Sequence, residues 1–353
     1  MAGRYCYKDV LPFTAMITME CTNVGLNTLF KAATNRGMSY YVFVVYSYGL
    51  AALVLLPSPF IFNRRTGLPP LSFSILRKMF LLGVIGATSQ ILGYKGISYS
   101  SPTLASAISN LIPAFTFILA IIFRMETVKL RSTSSQAKII GTIVSISGAF
   151  VVTLFKGPPI ILTSTLAYRS LGTPESNWVI GGLLLTAEYI LVPLWYIVQA
   201  QIIKEYPSEL VSVFFYNLFT AMVAGVISLL AEPNQDAWKY LPVVALIAIL
   251  YSGIVGSFLS NAAHTWVIRL KGPVYVAMFK PMAIAIAVAM GVMFLGDTLH
   301  LGSVIGAAII SVGFYAVMWG KSKEEMGENC EGRFEGSSSQ KTPLLQSTNI
   351  ADV

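Results

Sequence analysis

Charged side chains and metal-binding side chains are scarce in this chain. Of its 353 residues only 11% are Asp, Glu, Lys or Arg, and there are only 3 cysteines and 2 histidines. Soluble domains have roughly a quarter of charged residues, so this composition argues against a soluble fold. Three scattered cysteines and two histidines are too few to predict a disulfide framework or a metal centre.

The short motifs that accompany common enzyme chemistries are also missing. The sequence contains no H-E-x-x-H, no G-x-S-x-G and no G-x-x-x-x-G-K-[ST] pattern. We therefore predict no catalytic residues, no metal and no cofactor. An intramembrane enzyme and an ATP-driven pump are both disfavoured on this basis.

Hydrophobic residues are abundant, at 55% of the chain, and they fall into ten long stretches. A helix needs ~20 mostly apolar residues to cross a bilayer, because its backbone groups must be satisfied internally. The stretches therefore predict an all-α polytopic membrane protein. Its ten predicted spans are 11–31, 40–62, 78–97, 102–123, 138–155, 178–198, 211–231, 242–264, 273–295 and 302–319.

The net charge of +8 follows the predicted membrane topology. If the N-terminus is cytosolic, 17 of the 24 Lys and Arg residues fall on cytosolic segments and 5 on extracytosolic ones. This distribution obeys the positive-inside rule and places both termini in the cytosol. The basic charge is thus explained by topology and does not indicate nucleic-acid binding.

The second half of the chain repeats features of the first. Pro102 precedes Glu126 by 24 residues, and Pro273 precedes Asp297 by the same spacing. Five spans in each half is an odd number, so the second half must insert upside down relative to the first. Such inverted repeats are typical of secondary transporters. Further matches pair Gly141 and Gly148 with Gly306 and Gly313, which are expected to let helices pack closely, and Gln90 with Asn261.

These features divide the chain into five predicted parts. Residues 1–10 are a cytosolic N-terminus, and residues 11–155 form the first five-helix repeat. An extracytosolic linker follows at 156–177, and the second repeat occupies 178–319. The polar residues 320–353 are expected to be a disordered cytosolic tail.

Three ionisable residues inside predicted spans are the first candidates for a site. A charged group at the bilayer centre costs ~2.5–3.5 kcal/mol on insertion scales, so such groups mark pathways or pairs. Glu20 and Glu188 lie at similar depth in the first span of each half and could bind a substrate amine or a proton. Lys280, directly before Pro281, could bind a carboxylate, pair with either glutamate, or extend to the membrane surface.

Four polar residues at matching positions of the two halves are further candidates. Gln90 and Asn261 could hydrogen-bond polar groups of a solute, or they could join helices. Tyr46 and Tyr216 lie in similar strings of the second span of each half and could line a path, although packing roles are as well supported. Together with the ionisable residues they complete the predicted site.

Several strings in the chain resemble one plant family. The chain resembles the walls-are-thin-related, nodulin-like proteins, also called UMAMIT transporters. They belong to the drug/metabolite transporter superfamily and have two EamA-type domains. The strings that carry the resemblance are Gly25–Ala33, Tyr41–Tyr46, Asn110–Phe117, Phe123–Glu126 and Phe294–Asp297.

The resemblance implies a facilitator or exporter of amino acids that works by alternating access, or of auxin as in some relatives. Its partners would be a small-molecule substrate and the lipid bilayer. We expect the protein in the plasma membrane, with the tonoplast as the second choice. A receptor or channel without solute turnover is the rival class. Many relatives have an arginine where this chain has Ser47 and a glutamine where it has Glu20. If both positions line the cavity, this difference favours cationic or zwitterionic solutes.

Overall fold

The structure of the protein is a computed structural model. It describes residues 10–34, 36–59, 71–100, 104–105, 108–125, 132–155, 158–161, 175–232, 236–239, 243–290 and 299–338. Glu126 and Asp297, the acids of the predicted repeat, lie outside the described residues.

Nearly all of the described chain is helical. We number the long helices in chain order and treat two interrupted ones as single elements. They are α1 (Leu11–Thr34), α2 (Tyr40–Leu55), α3 (Phe73–Tyr99), α4 (Ile112–Ile122), α5 (Thr133–Leu154), α6 (Glu175–Glu205), α7 (Glu209–Ala231), α8 (Val243–Lys271), α9 (Pro273–Ala277 and Lys280–Met290) and α10 (Leu301–Ser338). A helical turn also forms at Asp236–Lys239.

Six helices among the described residues are long and apolar enough to cross a membrane. They are Tyr40–Pro59, Phe73–Tyr99, Val179–Glu205, Glu209–Ala231, Val243–Lys271 and Val304–Glu324. Large apolar side chains such as Phe73 and Leu230 lie more than four-fifths exposed on the outside of the bundle. Such a surface suits lipid and not water. The protein is therefore an all-helical polytopic membrane protein.

The helix α1 carries several threonines, yet its hydroxyl groups are satisfied locally. The hydroxyls of Thr14, Thr18, Thr28 and Thr34 each donate to the carbonyl four residues earlier, at 2.9–3.1 Å. This back-bonding lets a polar sequence pack as a helix without unpaired hydroxyl groups.

Contacts between helix ends divide the bundle into two faces. On the face that we call the tail face, Lys78 at the start of α3 pairs with Glu205 at the end of α6. Lys138 at the start of α5 pairs there with Glu324 of α10, at 2.8 Å. On the opposite face, which we call the linker face, the amine of Lys31 donates to three carbonyls at the end of α3.

The helices α8 and α9 are irregular, and so is the segment that precedes α4. The segment Ser252–Ser260 of α8 is a π-helix, a wide turn that is often found at functional sites. The helix α9 breaks at Met278–Phe279, immediately before Lys280 and Pro281. Because Pro281 has no N–H, it cannot close the helical bond to the carbonyl four residues earlier. A 3-10 turn, Ser109–Leu111, precedes α4.

Glycines allow two helix pairs to approach closely. A Cβ atom added to Gly141 of α5 would lie 2.6 Å from the carbonyl oxygen of Gly313 in α10. One added to Gly148 would lie 3.0 Å from the carbonyl oxygen of Gly306. The glycines predicted from the repeat thus face each other across the α5–α10 contact. On the other side of the bundle, Gly181 of α6 packs closely against α3.

The structure differs from the sequence expectations at both ends of α10. Its start follows a two-stranded antiparallel pairing, in which β1 (Pro159–Ile161) joins β2 (Leu299–His300). Its end lies at Ser338, beyond residue 320, where the polar tail is predicted to begin. Lys138 explains part of this extension, because its ion pair with Glu324 holds the first polar turn of α10 against α5.

We predict that adding a methyl group lowers the melting temperature at a packed glycine but not at a glycine with open space around it. Gly313→Ala should lower the apparent melting temperature of the detergent-purified protein by about 2–6 °C, because the new Cβ would overlap Ser145. Gly225→Ala is the matched control, since an added Cβ there meets nothing within 4 Å. The measurement is thermal unfolding of both variants, and equal melting temperatures would refute this account of the α5–α10 contact.

Candidate solute-binding cavity

A polar cavity lies inside the helical bundle, with a volume of about 190 Å³. Its walls come from α1, α2, α3, α6, α7, α8 and α9, from the start of α4 and from the turn before it. Ligand pockets for drug-sized molecules measure ~300–1,000 Å³, so this cavity suits a small solute.

Two of the predicted ionisable residues form a buried ion pair in the cavity wall. The amine Nζ of Lys280 lies 2.7 Å from Oε1 of Glu20, whose side chain is 2% exposed. The break in α9 places Lys280 at mid-bundle, where Glu20 meets it from α1. Lys280 therefore neutralises Glu20 and does not extend to the membrane surface.

Glu188 lies in the same cavity without such a partner. Its Oε2 atom is buried, and no hydrogen-bond partner for it lies among the described residues. The carboxylate occupies the space above Gly93 of α3, where a Cβ atom would come within 2.4 Å of its atoms. The α3–α6 contact thus has room for the carboxylate only because residue 93 is a glycine.

Three of the four remaining predicted residues line the cavity, and the fourth, Tyr46, lies towards the linker face. Gln90, Asn261 and Tyr216 line the cavity. The amide of Asn261 donates to the carbonyl of Ser257 within the π-helix, at 2.7 Å. Tyr46 is not among the lining residues, because its hydroxyl donates to the Trp238 carbonyl at 3.0 Å on the linker face. The hypothesis that Tyr46 lines the path is therefore not supported by its position.

Ser47, where many relatives have an arginine, does not contribute to the cavity wall. Ser47 is buried, but it is not among the lining residues, whereas its neighbour Tyr48 is. Glu20 does line the cavity, with its charge paired to Lys280. The condition that both positions line the cavity is thus not met, and any charge preference must come from other residues.

Sequence reasoning missed an aromatic wall and a histidine. Trp195 packs edge-on against Tyr216 with ring centres 5.3 Å apart, and Tyr196 stacks on His264 at 6.2 Å. The Nδ1 of His264 lies 2.7 Å from the Ser260 carbonyl, to which it donates. The sequence does not single out these aromatic residues, because apolar side chains cover most of the circumference of α6 and their pattern does not distinguish cavity from lipid.

A bundle of apolar helices around a polar cavity that contains two carboxylates and one amine is the architecture of a membrane transporter of small solutes. Residues 14–154 match the model of the EamA-like transporter family. The chain belongs to the WAT1-related proteins of that family, since relatives of this name match it over nearly its full length.

Three WAT1-related proteins of Arabidopsis thaliana illustrate the similarity. At3g28050 is 56% identical and covers 98% of each chain, and At5g40240 is 52% identical over 100% of this chain and 96% of its own. At4g15540 is 54% identical over 92% of each chain. A solved crystal structure superposes on 88% of this chain and 96% of its own with a TM-score of 0.62. At 15% identity it supports the fold alone.

We predict that Glu20 and Lys280 depend on each other for stability. Lys280→Met should destabilise the protein by ~3–5 kcal/mol, because it leaves a buried carboxylate without its counter-charge. The double variant Glu20→Gln/Lys280→Met should recover most of that loss. Thermal unfolding of the purified variants measures both effects.

The control for this double-mutant cycle is Lys239→Met, which removes an exposed lysine from a helical turn on the linker face. It should leave the melting temperature unchanged. Additive losses from the Glu20 and Lys280 variants, with no recovery in the double variant, would show that the two side chains are not coupled.

Proposed function

We propose that this protein transports amino acids by alternating access. In this proposal, Glu188 binds the ammonium group of the solute. The observation that carries the proposal is the Glu188 carboxylate, which lines the cavity and whose buried Oε2 atom has no hydrogen-bond partner among the described residues. A solute ammonium would supply the missing counter-charge, and charge-assisted hydrogen bonds of this kind are about twice as strong as neutral ones.

The second polar group of an amino acid, its carboxylate, also finds donors in the cavity. The side-chain amides of Asn23, Asn27 and Gln90 line the wall beside the charged residues. Uncharged donors suit this role because Lys280 is already engaged by Glu20. The aromatic wall of Trp195 and Tyr196 would contact the apolar part of the solute.

We further propose ten membrane spans arranged as two inverted repeats, residues 11–155 and 178–319. Helix contacts support this, because they occur in exchanged pairs. Gly141 packs on Gly313, and their repeat counterparts, Gly306 and Gly148, pack on each other. An approximate two-fold rotation that exchanges the halves would exchange these two contacts.

Close contacts near the bundle centre follow the same exchange. Gly83 of α3 packs on Phe219 of α7, where an added Cβ would come within 2.5 Å of that side chain. Gly253 of α8 packs in the same way on Leu50 of α2. Two similar halves around one cavity can open it to either side in turn, as alternating access requires.

Export of auxin is the alternative substrate proposal. The aromatic wall would suit an indole ring, but auxin carries a carboxylate and no ammonium group. An unpaired Glu188 would repel that carboxylate, so the charges favour amino acids. We place the protein in the plasma membrane, with the tonoplast second. Both termini are placed in the cytosol, following the excess of Lys and Arg on the predicted cytosolic segments of the sequence.

The test is efflux of preloaded labelled amino acids from cells that express the protein. The Glu188→Gln variant should lose at least about 90% of this efflux, since a charge-assisted bond of ~1.5–3 kcal/mol is replaced by a neutral contact. Surface abundance of both proteins is measured in parallel.

The control is Glu232→Gln, which changes a carboxylate on the linker face that accepts a hydrogen bond from Ser39. It should export at the rate of the wild type. Full export by the Glu188→Gln variant at equal abundance would remove Glu188 from the binding site. No export by the wild type would refute the amino-acid proposal.

A further inference from the structure

The two glutamates of the cavity occupy corresponding places in the two halves but have different surroundings. Glu20 lies in α1 and Glu188 in α6, the first helix of each half, and both line the cavity. Glu20 is ion-paired with Lys280 of α9 in the opposite half. The exchange of halves therefore predicts a partner for Glu188 at the corresponding position before α4.

That position is Ser109. Lys280 follows Pro273 by seven residues, and Ser109 follows Pro102 by the same spacing. The offset of 171 residues also relates Gln90 to Asn261, both of which line the cavity.

The structure supports this correspondence independently of the sequence. Lys280 follows the break in α9, and Ser109 begins the 3-10 turn before α4, so both lie at an interruption of the fourth helix of their half. Both also line the cavity, and Ser109 is 5% exposed. A serine hydroxyl cannot neutralise a carboxylate, whereas a lysine amine can.

We infer that this lysine-to-serine difference is the specificity determinant of the cavity. It leaves Glu188 without an ion pair of its own, since the amine of Lys280 contacts Glu20. When Glu188 is ionised, as it is beside a bound cation, Glu20, Glu188 and Lys280 sum to one net negative charge, and the cavity selects solutes of net positive charge. This inference rests on the proposed function and names its preferred substrates, the amino acids with a basic side chain.

Variants at positions 109 and 280 test the inference, because each has a defined net charge in the cavity. Ser109→Lys adds a second counter-charge and makes the cavity neutral. The exchange variant Ser109→Lys/Lys280→Ser keeps one net negative charge but moves the lysine to the half that holds Ser109. Ser109→Gln is the matched control, because it adds a long side chain without charge.

Export is measured with cells preloaded with labelled lysine, alanine or glutamate. The wild type, Ser109→Gln and the exchange variant should all prefer lysine to alanine. Ser109→Lys should reduce this preference about tenfold or more, since one charge within several ångströms changes the interaction by that amount or more. A lysine preference that persists in Ser109→Lys would overturn the inference.

A second measurement detects the charge pairing without transport. Without a bound cation, a carboxyl group that lacks an ion pair in apolar surroundings takes up a proton. A hydrophobic carbodiimide modifies such protonated carboxyl groups, and peptide mass spectrometry identifies the modified residue. In the wild type the adduct should form on Glu188, and in the exchange variant it should form on Glu20. This comparison also covers the case in which Ser109→Lys alone fails to fold.

The two measurements separate failure of the inference from failure of the proposed function. Adducts that remain on Glu188 in the exchange variant would overturn the charge assignment, whatever the export assays give. An adduct that moves to Glu20, in a protein that exports no amino acid, would support the assignment and refute amino acids as the substrates.

Discussion

The ion pair between Glu20 and Lys280 sets the conditions for the rest of the cavity. A lone charge at mid-depth in a bilayer is costly, and two charges of opposite sign offset each other only at close range. The distance of 2.7 Å requires α1 and α9 to meet at the bundle centre. The break in α9 before Pro281 makes room for the lysine at that meeting point. Once this pair is closed, Glu188 is the carboxylate of the cavity whose charge is left for a solute.

The cavity also requires close packing of the helices around it, which glycines allow at several positions along the bundle. Without a hydrophobic effect between helices inside lipid, small residues promote association by letting backbones approach. Gly93 accommodates the Glu188 carboxylate, and Gly86 accommodates the Tyr216 ring, both from α3. The same helix that packs the bundle therefore shapes the cavity. A larger residue at either position would fill the space of a functional side chain.

The sequence is sufficient for the helical membrane class and for residues that lie together around one cavity, but not for the pairing of their charges. Long apolar runs located the helices, and mid-span charges identified Glu20, Glu188 and Lys280, all of which line the cavity. The partner of Glu20 could not be derived, because Lys280 lies 260 positions away in the chain and two carboxylates compete for it. The sequence leaves two roles open for Tyr46, because repeat matching transfers a position in the chain and not the direction of a side chain; its hydrogen bond to the Trp238 carbonyl favours the packing role. The π-helix in α8 shifts the phase of the following turns, which no composition pattern reports.

Under the proposed alternating access, two exposed ion pairs lie on the tail face, between helices that would separate. Lys78 and Glu205 at the tail face are 31% and 44% exposed, and such pairs contribute ~0–1 kcal/mol. Arg269 and Glu209 on the same face are also solvent-accessible. Contacts of this strength can break when the tail face opens. The buried Glu20–Lys280 pair would cost several times more to separate, so it must move as one unit with α1 and α9. The change between the two open states would therefore move α1 and α9 together. The helices would move relative to one another at exposed contacts, such as Lys78–Glu205, that break at a small cost in free energy.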